Sequence, residues 1–115
     1  MQKNTFGTRG EIMASNYLKS KGYKIVARNY RNKIGEIDIV AKDGQTLVFI
    51  EVKTRTSRAL GDPLEAINVK KQDKVRKVAT LYLMSNNLME KPFRFDVVAV
   101  LGDSEEGIRH IENAF

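Results

Sequence analysis

Asp38 and, thirteen residues on, Glu51-Val52-Lys53 are the residues whose types and spacing point to chemistry. Two carboxylates and an ammonium sit inside otherwise apolar segments, where an unpaired charge is costly. The segments read Gly35-Glu-Ile-Asp-Ile-Val-Ala41 and Leu47-Val-Phe-Ile-Glu-Val-Lys-Thr54. Between them lies Asp43-Gly44, a strong hairpin signal. As a two-residue turn, Asp43-Gly44 sets Lys42 opposite Gln45, Asp38 opposite Phe49 and Glu36 opposite Glu51. Alternation along each strand then directs Glu36, Asp38, Glu51 and Lys53 to one face. Asp38 and Glu51 become diagonal neighbours, roughly 7–8 Å apart at the backbone and within joint reach of one ion. Carboxylates this close repel, and a buried one tends to take up a proton. A divalent cation removes that conflict, and oxygen ligands suit magnesium or manganese. The alternative without a metal is an acidic pair satisfied by neighbouring Lys and Arg.

The elements that must carry these residues follow from periodicity and punctuation. A first helix is predicted over 9–21, with Thr8 as N-cap and Glu11 completing a capping box. Met13, Ala14, Tyr17 and Leu18 form its apolar stripe, and Gly22 is a natural C′ residue. A strand is expected at Tyr23–Asn29, then the hairpin strands. Residues 56–63 read as a loop, with a short helical turn at Leu64–Ile67. Asn68 caps a longer helix from Val69 to about Ser85, burying Val75, Val78, Ala79 and Tyr82. Phe93–Leu101 is a strand rich in β-branched and aromatic residues, and 108–115 a terminal strand or extended tail. The order α-β-β-β-α-β predicts an α/β domain, a small mixed sheet flanked by helices. Tyr17, Tyr82, Phe93 and Phe95 fit apolar stripes and are expected in the core, and the lone His110 is assigned no chemistry.

At 115 residues the chain suits one domain. It lacks a long apolar run, an apolar N-terminal segment and any cysteine. A membrane span, a disulfide framework and a thiolate site are thereby excluded, and a cytoplasmic location is expected. The net charge of +6 is unevenly spread: residues 1–33 carry eight Lys or Arg against one acid, and residues 70–77 five against one. A basic body beside an acidic metal site suits a nucleic acid. Arg9, Arg55, Lys70, Lys71 and Lys74 are the candidates for phosphate-backbone contacts, which position a strand without reading its sequence.

Five ordered blocks carry a resemblance. They are Gly7-x-Arg9-Gly10-Glu11-x-x-Ala14, Gly35–Ala41, Val48–Arg55, Arg94-Phe-Asp-Val-Val98 and the ending Asn113-Ala-Phe115. Together they resemble the bacterial YraN-like family of small predicted endonucleases. That family is similar to archaeal Holliday-junction resolvases and to the wider PD-(D/E)xK, restriction-endonuclease-like superfamily. The resemblance implies a restriction-endonuclease-like core and a magnesium-dependent (or manganese-dependent) endonuclease acting on DNA, with branched or damaged structures as candidate substrates. It implies Glu11, Asp38 and Glu51 as metal ligands, Lys53 as the residue that holds the attacking water or stabilises phosphate charge, and Gln72 as a residue that orients water or a phosphate. Glu11 keeps its competing role as a cap, and Lys53 its competing role as a salt-bridge partner of Glu51 or Glu36. Glu36-Ile37 stands where the superfamily motif has its Pro. Resolvases cut symmetrically as dimers, which makes a homodimer an expectation to test. A non-catalytic nucleic-acid-binding module and a DNA-processing adaptor remain the competing functions.

Overall fold

The computed structural model describes residues 6–55, 67–102 and 107–115. The elements are α1 (Phe6–Ser20), β1 (Lys24–Arg31), β2 (Glu36–Asp43), β3 (Thr46–Arg55), α2 (Val69–Ser85), β4 (Phe93–Leu101) and β5 (Ile108–Ile111). The five strands form one sheet in the order β1-β2-β3-β4-β5. Neighbours are antiparallel except β3 and β4, which are parallel and joined through α2. A parallel pair needs such a crossover. The loop expected at 56–63 and most of the short turn expected at 64–67 fall outside the described residues.

The two helices cover opposite faces. Leu47 and Phe49 pack with Val75, Val78, Ala79, Tyr82 and Leu83 of α2. The alternate residues Val48 and Ile50 pack with Ala14 and Leu18 of α1. β3 therefore has two dry faces, which explains why its sequence is a continuous apolar run. Tyr82 and Phe95 are buried, but Phe93 is 45% exposed, because it lies at the open start of β4.

Local chemistry sets the helix ends. Asn68 adopts extended backbone and its side chain accepts from the Lys71 amide at 2.8 Å, so α2 starts where its cap predicts. Gly22 has φ +93°, and the Tyr23 amide reaches back to the Leu18 carbonyl at 3.0 Å, closing α1. The start of α1 corrects the sequence expectation. The helix already runs from Phe6, so Thr8 lies inside it and Glu11 is not the far member of a capping box.

The hairpin register also differs from the expected one. Asp43 pairs with Thr46, and the turn residues are Gly44 and Gln45, with Gly44 at φ +63°. Val40 faces Phe49 and Ile39 faces Ile50. Relative to the expected pairing, the partner of each β2 residue moves two positions along β3. A slip of two preserves which face each side chain occupies, whereas a slip of one would have reversed it. Continuing the count from Ile39–Ile50 sets Asp38 straight across from Glu51 rather than diagonal to it.

β2 itself is irregular at the decisive residue. Ile37 packs with the α2 side and Ile39 with the α1 side, although strict alternation would direct them to the same face. Asp38 and, on β1, Asn29 lie between the pairs Arg28–Ile39 and Tyr30–Ile37, and Asn29 has φ +53°. The strand turns over at Asp38.

Candidate functional site

Three elements converge where β2 begins and β3 ends. Asp38 comes from the irregular point of β2, Glu51 from β3 and Lys71 from the first turn of α2. Asp38 Oδ2 accepts from the Val52 amide at 2.8 Å. A side chain thus takes over a bond that the β2–β3 ladder would otherwise supply, and this fixes the carboxylate beside Glu51. Glu51 is 2% exposed. Lys71 Nζ stands 3.4 Å from Glu51 Oε1, while Glu51 Oε2 is buried with no hydrogen-bond partner among the described residues. An unsatisfied buried carboxylate oxygen is costly, and such a group calls for an explanation.

The electrostatics agree with the geometry. Burial pushes Glu51 up to about 7, the charge of Asp38 adds to the shift, and Lys71 opposes it without overcoming it. The Lys71 side chain is 44% exposed, so water screens its charge. Burial also raises Asp38, against the Val52 amide and Lys71, which pull it down. Glu11 is raised by burial and then by Asp38, with a hydrogen bond from Asn29 opposing. Three carboxylates held above their ordinary range at one sheet end mark a place short of positive charge.

Two of the sequence-predicted ligands, Asp38 and Glu51, are therefore brought together. Glu11 stands beside Asp38 on α1. Among the described residues no three or more Asp, Glu or His side chains gather closely enough to cage a metal on their own. The arrangement is a two-carboxylate site. This suits magnesium, which keeps several waters and is commonly held by one or two carboxylates together with substrate phosphate. The orphaned Glu51 oxygen and the raised pair fit that donor set.

Lys53 is half-buried on β3, and its positive charge is felt at Asp38. The alternative role of Lys53, an ion pair with Glu51 or Glu36, falls to other residues: Glu51 faces Lys71, and Glu36 binds Arg31 at 2.7 Å instead of opposing Glu51. Gln72 donates to the Ile67 carbonyl at 3.0 Å and braces the entry to α2. Of the phosphate-contact candidates, Arg9, Lys70 and Lys74 are exposed, and Arg55 is half-buried at the end of β3. Lys71 moves from that group into the carboxylate site.

Gly10 stands in a block that carries the family resemblance, but sequence reading assigned it no role. A Cβ at Gly10 would collide with Thr54 Cγ2. The glycine lets α1 lie against the end of β3 and brings Glu11, the next residue, to Asp38. Gly10→Ala is expected to destabilise the fold by about 1–3 kcal/mol through overpacking, despite the better helix propensity of Ala. Thr54→Ser, which removes the colliding methyl, should restore most of that loss. Denaturant titration of both variants measures it, and no rescue by Thr54→Ser would sink the close-approach argument.

A second buried cluster holds the C-terminal segment. Asp96 is fully buried and accepts from Arg94 Nε at 3.1 Å and the Asn113 amide at 3.0 Å, with His110 Nε2 at 2.8 Å. Arg94 also donates to Tyr23 Oη at 2.6 Å and to Asp43 at 3.1 Å. Phe115 stacks on Phe95 with ring centroids 5.2 Å apart. His110, assigned no chemistry from sequence, is a structural partner. The blocks Arg94–Val98 and Asn113–Phe115 thus meet in space; Asp96 lies across from Ile50, the residue before Glu51, but is held in its own hydrogen-bonded cluster.

Residues 10–100 match the family described as Uncharacterised protein family UPF0102. The chain is 51% identical over 112 residues to a UPF0102 protein of Alkaliphilus oremlandii, covering 95% of this chain and 96% of the relative. It is 48% identical over 115 residues to a UPF0102 protein of Clostridioides difficile, covering all of both chains. A UPF0102 protein of Thermodesulfovibrio yellowstonii is also 48% identical over 115 residues, covering 100% of this chain and 99% of the relative. With Asp38, Glu51 and Gly10 all inside the matched span, the chain belongs to the UPF0102, or YraN-like, family.

Proposed function

We propose that this protein is a divalent-metal-dependent endonuclease that hydrolyses phosphodiester bonds in DNA on a restriction-endonuclease-like core. The observation that carries the reading is Glu51: buried, with one oxygen unpartnered among the described residues, and held across from a second raised carboxylate. Asp38 and Glu51 would hold magnesium or manganese, with the Val52 amide orienting Asp38. When bound, such a cation polarises the scissile phosphate and lowers the pKa of a water on it. Lys53, within electrostatic range of Asp38, would steady the attacking water or the charge that builds on the phosphate. Glu11, which feels the charge of Asp38, would hold a further water. Gln72 would act indirectly, by keeping α2 and Lys71 in position. Symmetric cutting of a four-way junction would need two copies of this site, whereas nicking needs one.

Lys71 favours a second reading. Its ammonium already balances part of the Glu51 charge without a metal. A non-catalytic nucleic-acid-binding module would keep that pair and the basic surface. Titration calorimetry with manganese, run beside cleavage of plasmid, single-stranded and junction DNA, separates the two. The endonuclease reading expects manganese heat and cleavage by the wild type, with cleavage by Asp38→Asn reduced to background. Equal trace cleavage by both proteins would overturn it, and DNA binding with no metal heat would favour the module.

A further inference from the structure

A cavity of about 400 Å³ is lined by Lys71, the residue that pairs with Glu51. Its lining includes four cations, Arg31, Lys33, Lys71 and Lys74, and one carboxylate, Glu36. Glu36 is committed to Arg31 at 2.7 Å, and Lys71 to Glu51 at 3.4 Å. Lys33 and Lys74 make no ion pair among the described residues. The cavity therefore holds positive charge that no carboxylate among the described residues pairs with.

The wall that carries Lys33 is built, not loose. Residues 32–35 form the turn between β1 and β2, closed by the Asn32 amide donating to the Gly35 carbonyl at 2.9 Å. Asn32 Oδ1 accepts from the Ile34 amide at 3.0 Å, and Asn32 Nδ2 donates to the Val78 carbonyl of α2 at 3.2 Å. A Cβ at Gly35 would lie 3.1 Å from Lys74 Cε and 3.3 Å from Val78 Cγ2. The missing side chain lets the turn rest against α2, so Lys33 and Lys74 face one space from two anchored elements. Lys71, one helical turn before Lys74, lines the same space and reaches Glu51 on its other side.

We infer that this cavity is a subsite for a backbone phosphate of the nucleic-acid strand, next to the phosphate at the carboxylate pair. Lys33 and Lys74 supply the charge, Arg31 is held in place by Glu36, and Lys71 links the subsite to the reacting centre. A phosphodiester oxygen in the cavity gives Lys71 an anionic partner besides Glu51. None of these contacts involves a base edge, so the subsite positions a strand without selecting its sequence. The inference rests on the endonuclease reading for the neighbouring phosphate, but not for binding itself.

The test measures binding without turnover. Fluorescence anisotropy of a short fluorescein-labelled duplex, in chelator and over a series of salt concentrations, compares the wild type with Lys33→Gln/Lys74→Gln. The control is Lys19→Gln/Lys42→Gln, which removes two exposed lysines at the other end of the sheet. All four side chains are exposed, and thermal melts verify that each variant folds. The cavity variant is expected to bind about tenfold more weakly, with a salt slope reduced by about 2, one for each lost phosphate contact, whatever the sequence of the duplex. The control should change both far less, and calorimetric manganese binding should be unchanged in both variants. Wild-type affinity in the cavity variant, an equal loss in the control, or no duplex binding by the wild type would overturn the subsite. If the cavity variant loses affinity while the wild type neither cleaves DNA nor binds manganese, the endonuclease reading falls and the subsite stands.

Discussion

Glu51→Gln is expected to stabilise the metal-free protein at about pH 8 by on the order of 3 kcal/mol, a rise of roughly 10 °C in Tm. In the folded chain Glu51 titrates at about 7, above its ordinary 4.5, because burial and Asp38 disfavour its charge. The folded state thus holds that proton more tightly than the unfolded state does. The resulting stability is fully present below about pH 4.5 and is lost as the pH rises through 7. Asp38 is also raised, so it adds a loss of the same sign. Wild-type protein in chelator should therefore weaken between about pH 5 and 8, and the Gln variant should weaken much less. Manganese should restore the wild type at the upper end and leave Glu51→Gln unaffected, since binding to the folded state alone stabilises it. Melts at several pH values, with and without metal, decide the matter. Parallel pH profiles for the two proteins would remove the electrostatic basis of the site.

Asp96→Ala should cost about 3–5 kcal/mol near neutral pH, because it strands the charged Arg94 in a part-buried position and deprives His110 of its acceptor. Burial alone would raise Asp96, but the bonds from His110, Arg94 and the Asn113 amide outweigh it and hold the carboxyl below its ordinary range. This is the opposite sign from Glu51. The Asp96 contribution is present above the ordinary value of 3.8 and is lost as the pH falls through the depressed one. Asp96→Asn keeps an acceptor of the same shape and should lose less. Urea unfolding of the three proteins at neutral pH measures the differences. A loss below about 1 kcal/mol for Asp96→Ala would mean that the cluster is dispensable to the fold. The same variant should leave manganese binding unchanged, since Asp96 is no part of the carboxylate pair.

The two clusters divide the labour of the sheet. Asp96 is satisfied by several donors and locks the C-terminal segment onto β4. Glu51, on the adjacent strand, is left with one oxygen that has no partner among the described residues. A fold that completes one buried carboxylate and leaves another short of donors concentrates its binding potential at the second.

Local signals in the chain were sufficient for α2, whose cap at Asn68 and stripe from Val75 to Tyr82 act within a few turns of helix. They also sufficed to bring Asp38 and Glu51 together. The wrong turn assignment did not undo this because the partners moved by an even number of residues as far as Ile39, although the alternation assumed beyond it fails where β2 turns over at Asp38. The turn itself was misread because Asp-Gly and Gly-Gln both suit Gly44 at positive φ, so the local sequence does not choose between the two registers. Three features needed the tertiary structure. The reversal of β2 at Asp38 depends on Asn29 in the next strand. The Lys71–Glu51 pair joins residues twenty positions apart across a crossover, where a surface lysine in a helix carries no mark of its partner. The meeting of Asp96 with His110 and Asn113 depends on β5 closing against β4. Periodicity and capping reach only three or four residues along a chain, whereas these contacts were chosen by which faces of the sheet the two helices could cover.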